Sequence, residues 1–119
     1  MNTSEIAARL ITLCREGKWE TAQTELFAPD AVSREQEASP VFPQETKGLP
    51  AIIEKGRKWQ SMVETIHAFS VSDPVIAGES FACTMTLDVT MKGQPRMGMT
   101  ELCVYVVKDG KITSESFFR

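Results

Sequence analysis

Three acids, Glu35, Glu37 and Glu45, follow the stretch LFAPDAVSR on a strand end and its loop, at the rim of whatever core that strand enters. A carboxylate takes a proton near neutral pH only when burial or a like charge raises its pKa, so each reads either as a general base or as a solvated rim residue. Asp88 and Glu101 lie inside strand-like runs, where acids are depleted. Asp88 alternates with apolar residues on the threonine side, which predicts a solvent-facing or edge acid. Glu101 shares its side with Met99, Cys103 and Tyr105, and an acid there should be paired or functional, with Arg96 and Glu115 as candidate partners. His67, the only histidine, reads as either a hydrogen-bonded structural residue or a general acid/base. The candidate catalytic groups are therefore Glu35, Glu101 and His67.

A ligand would need an apolar wall beside these groups. Trp59, Met62, Met85, Met99, Tyr105 and Phe117 either complete the core or line an adaptable cavity, with Glu115 at its rim. Tyr105, the only tyrosine, would orient a ligand or satisfy Glu101. One histidine with no neighbouring cysteine argues against zinc, and Cys14, Cys83 and Cys103 stand far apart among apolar residues, as reduced buried thiols do. Phosphate loops, nucleophile elbows and HExxH pairs are missing, so no metal and no cofactor is expected.

Net charge is −3, with 13 basic against 16 acidic residues, which removes any general attraction to nucleic acid. The basic run EKGRKW at 54–59 reads as the solvated face of a helix. No apolar run reaches the ~20 residues of a membrane span and MNTSEIAARL lacks a signal-like pattern, so a cytoplasmic protein without membrane contact is expected.

The elements that must position these residues follow from periodicity. Ile6, Leu10, Ile11 and Cys14 predict a helix over 3–16, capped by Asn2 or Thr3 and stopped at Gly17. Trp19, Ala22 and Leu26 predict a second, ending at Ala28-Pro29-Asp30. A brief strand over 31–34 and a proline-bearing loop lead to a third helix, from Leu49-Pro50 to about residue 65. Beyond Ile66 the pattern predicts an antiparallel meander of four strands, with turns at Gly78-Glu79, KGQP and KDGK. One domain over 1–119 is expected, of class α+β, with three N-terminal helices packed on a curved, mainly antiparallel sheet. The strand ELCVYVV is apolar on both sides, which predicts a homodimer through the outer sheet face.

REGKWETAQTELFAPDAVS, KGLPAIIEKGRKW and VYVVKDGKITSESFF, with Gly17, Ala31, Gly48, Gly110 and Ile112 in place, resemble the SnoaL-like branch of the nuclear transport factor 2 superfamily. The resemblance implies a cone-shaped α+β barrel that encloses a pocket, and dimers through the sheet. It also places Glu35 where related isomerases hold a base. Their oxyanion-hole tyrosine would fall near Leu10 and their second acid near Leu102 or Cys103, so a steroid-isomerase mechanism is rejected. Three functions remain: binding of a small apolar molecule in the cone; an isomerase, cyclase or dehydratase using a carboxylate base; and a pocketless dimeric protein-interaction module.

Overall fold

The computed structural model describes residues 1–119. The chain runs α1 (Thr3–Arg15), α2 (Trp19–Leu26), β1 (Phe27–Arg34), β2 (Glu45–Lys47), α3 (Leu49–Met62), β3 (Val63–Val71), β4 (Val75–Ala77), β5 (Ser80–Met91), β6 (Met97–Lys108) and β7 (Lys111–Phe118). Asn2 caps α1: its Oδ1 accepts from the Glu5 amide at 2.9 Å while the Glu5 carboxylate accepts from the Asn2 amide at 3.0 Å. Gly17, at φ 74°, ends the helix. The amides of Gly17 and Lys18 donate to the Cys14 and Leu13 carbonyls, closing off α1 before α2 begins.

Two boundaries differ from expectation. The second helix stops at Leu26, and Phe27 to Pro29 already belong to β1. The third stops at Met62, because Val63, Thr65 and Ile66 are β-branched and pair with β5 from Val63 onward. The strands β2 and β4 carry three residues each and have no periodicity to detect. The short β4 pairs with the start of β5 and β3 with the rest of it, so Pro74 lies in a break between two strands that share one neighbour.

The sheet order is β2-β1-β7-β6-β5-β3, with β4 also on β5, and β2 and β3 end the path without pairing with each other. All pairings are antiparallel except β1 with β7, which is parallel. The chain is thus α+β, with three helices on a mixed, mainly antiparallel sheet. Alternation on β5 holds as expected: Phe81, Cys83, Met85, Leu87 and Val89 are buried, and the intervening threonines are not. Phe81, Cys83 and Met85 join Ile6, Leu10 and Ile11 of α1 and Leu26 of α2 in one core. On β6, Cys103, Tyr105 and Val107 are buried and Leu102 and Val106 exposed, which settles which side of that strand faces the helices. Cys14, Cys83 and Cys103 are buried free thiols.

Candidate functional site

A cavity of about 210 Å³ lies between the helices and the inner sheet face, and 14 of the 22 residues that line it are hydrophobic. Its helical wall is the stripe Ile52, Lys55, Gly56 and Trp59, spaced three and four apart so that all project from one side of α3. Of the α3 residues only Ile52 is fully buried. The apolar stripe of this helix therefore faces a cavity rather than a packed core. Trp19 meets Trp59 and Phe69 edge-on, with ring centroids 6.4 and 5.3 Å apart, and Phe81 stacks on Tyr105 at 4.8 Å.

One end of the cavity is polar. The Lys55 ammonium donates to Glu35 Oε2 at 2.8 Å and to Ser33 Oγ at 3.0 Å. Ser33 Oγ in turn donates to Glu115 Oε2 at 2.7 Å. At the mouth, Arg119 Nε donates to Glu101 Oε2 at 3.3 Å, and its guanidinium comes within 4.0 Å of Glu35. Three carboxylates and two cations thus form one chain from buried Glu115 to exposed Arg119. Lys55 and Glu35 keep only 16% and 20% of their side chains exposed, so their attraction is weakly screened.

Burial pushes the Glu115 carboxyl up to about 7, against the opposing effects of the Ser33 hydrogen bond and the Lys55 charge. Burial raises Glu101 as well, and Arg119 partly offsets it. Tyr105 is held well above its ordinary value by complete desolvation. A carboxyl near 7 exchanges its proton at neutral pH, so this end can give a proton to a ligand oxygen or take one from an adjacent carbon. No group of three or more His, Cys, Asp or Glu side chains is arranged to hold a metal ion.

The sequence profile of the SnoaL-like domain matches residues 1–119. The chain belongs to the SnoaL-like domain family. A Mesorhizobium loti protein provisionally described as a SnoaL-like polyketide cyclase, with carbohydrate phosphatase given beside it, is 34% identical over 100% of both chains, with a TM-score of 0.93. A Xanthomonas campestris protein of unknown function with a cystatin-like fold shares 20% identity over 99% of this chain and 90% of its own, at TM-score 0.82. A Burkholderia thailandensis protein similar to nuclear transport factor 2 shares 16% over 99% and 90%, at TM-score 0.84. No protein of curated function matches the chain.

In this SnoaL-like chain the cavity gathers Glu35, Trp59, Met85, Met99, Glu101, Tyr105, Glu115 and Phe117 from the predicted set. Met62, at the end of α3, is not among its lining residues. His67 is not among them either: it is exposed and hydrogen-bonded to Thr90 Oγ1 at 2.7 Å, as its structural reading has it. The β3 register shifts between Ile66 and Ala68, which takes His67 out of the simple alternation that would have aimed it inward. Arg96 pairs with Asp88 on the other face of the sheet at 2.7 Å, so Glu101 takes Arg119 instead. Asp88 is the solvent-side acid its pattern predicted.

Lys55, Ser33 and Arg119 were missed. Lys55 carried a signal, since it stands three after Ile52 and four before Trp59 on the apolar stripe, but its charge argued for the solvated face. Ser33 alternates with Ala31 on the buried side of β1. Arg119 belongs to no periodic element.

Proposed function

We propose that this SnoaL-like chain binds a small apolar carbonyl compound in the cavity and moves a proton beside the carbonyl, as an isomerase, cyclase or dehydratase does. The observation that carries this reading is an apolar cavity that ends on the buried Glu115, whose carboxyl accepts a hydrogen bond from Ser33. Glu115 exchanges the proton, because burial pushes it up to about 7. Lys55 fixes the Ser33 hydroxyl from one side, which leaves the hydroxyl proton for Glu115. Glu35, held by Lys55, and Glu101, held by Arg119, flank the entrance as charged partners that orient the ligand. The description of the Mesorhizobium loti protein as a polyketide cyclase is consistent with such chemistry. A cavity of about 210 Å³ speaks against the pocketless module, whose cone would be filled by side chains. The reading includes a homodimer through the outer sheet face, with one cavity per subunit.

The test pairs binding with turnover. Ligand-induced thermal stabilisation is measured across lipids, steroids and aromatic ketones, and exchange of ketone α-hydrogen for deuterium is followed by NMR. Glu115→Gln is expected to keep the thermal shift and lose at least ~100-fold in exchange rate. A panel with no shift would overturn the binding, and undiminished exchange in the variant would overturn the role of Glu115.

A further inference from the structure

The cavity's size and charge narrow the ligand class, an inference that rests on the cavity being the binding site. An apolar cavity of ~150 Å³ accommodates benzene. The space here, about 210 Å³, therefore encloses one substituted ring or two fused rings, whereas a four-ring skeleton would have to extend out through the mouth. The walls oppose widening: Trp19 is wedged edge-on against both Trp59 and Phe69, with interplanar angles of 85° and 76°. Spreading such contacts forfeits close packing.

The charges are already matched. Lys55 is bonded to Glu35 at 2.8 Å and Arg119 to Glu101 at 3.3 Å. A ligand carboxylate would bring a fourth acid to two cations already engaged. A ligand ammonium would compete with Lys55 and Arg119 for acids they hold, and below about pH 7 Glu115 carries its proton and offers no counter-charge. Glu115, pushed up to about 7 by burial, can instead carry its own proton and donate it to a neutral oxygen.

We propose that the ligand is a neutral carbonyl compound of one or two rings, with its oxygen at the Glu115 and Ser33 end and its ring against Trp19, Trp59 and Phe69. It is not a four-ring polyketide or steroid, and not an acid or an amine.

The experiment is calorimetric titration of the wild-type chain at pH 6 with five compounds. Cyclohexenone and 1-tetralone supply one and two neutral rings; 1-naphthoate and 1-naphthylmethylammonium are charged matches of the second; a steroid enone supplies four rings. 1-Tetralone is expected to bind at least about tenfold more tightly than either ion or the steroid. A steroid that binds as tightly overturns the size limit, and a naphthyl ion that binds more tightly overturns the neutrality. Both results leave the cavity as a small-molecule site. Silence from all five compounds overturns the binding reading itself. Met99→Ala, which removes side-chain volume from the cavity wall, is expected to improve the steroid relative to 1-tetralone; an unchanged ratio shows that the ring binds elsewhere and overturns the placement.

Discussion

At the scale of single residues, Glu115 links the site to stability. Its folded pKa of about 7 stands above the ordinary 4.5, so the folded chain holds the proton more firmly than the unfolded chain does. That stabilisation is fully present below about pH 4.5 and is lost as pH rises through about 7. The whole step corresponds to roughly 3 kcal/mol. The groups facing Glu115 are Ser33 of β1, Glu35 just beyond it, Lys55 of α3 and Glu101 of β6, and Glu101 is raised too, so it adds a slope of the same sign. Glu115→Gln should therefore flatten most of the fall in urea-measured stability between pH 4.5 and 7 and leave the variant more stable than wild type at pH 8. An unchanged slope would assign the titration to another group. Much of this site was legible in the sequence: strict alternation on β6 puts Glu101 and Tyr105 on one side. Lys55 was not, because its charge points to a solvated face while its position on the stripe points inward. His67 escaped because alternation says nothing about where a register shifts.

At the scale of elements, the hairpin β6–β7 sets the geometry of the polar end. Its register puts Tyr105 opposite Glu115 and Cys103 opposite Phe117, all on the cavity side. A slip of one residue would turn Glu115 toward the outer face. The turn residues Asp109 and Gly110 have φ of 52° and 76°, the left-handed pair that a tight two-residue hairpin requires, and KDGK announced it in the sequence. A Cβ at Gly110 would sit 3.5 Å from the Met1 carbonyl oxygen, an ordinary contact, so the cost of Gly110→Ala is conformational. It should lower stability by ~1 kcal/mol in urea titration, with Gly110→Asn losing less, because Asn tolerates the left-handed region. Equal losses in both variants would point to packing at Met1 instead. Long periodic elements were legible, whereas β2 and β4 were not, since three residues are too few to show a period.

At the scale of the whole molecule, the same two strands face two ways. Inward they present Glu101, Tyr105, Glu115 and Phe117 to the cavity. Outward, Leu102 is 41%, Val106 42% and Phe118 44% exposed on adjacent strands, with the β5 threonines beside them. Helices cover only the inner face, so the outer apolar residues remain in water unless a second copy covers them. A stable interface removes ~800 Å² from each partner, roughly an eighth of the 6696 Å² this chain exposes. The proposed homodimer predicts a twofold mass by sedimentation at micromolar concentration. Leu102→Asp and Val106→Asp should each give a monomer that keeps its fold, because neither side chain belongs to the buried core. A wild-type chain that sediments as a monomer would overturn the dimer. If the dimer forms, the Asp variants separate two roles of β6: retained binding of 1-tetralone would show that each cavity works alone, and lost binding with an intact circular dichroism spectrum would show that pairing holds β6 and β7 in place for Glu101 and Glu115.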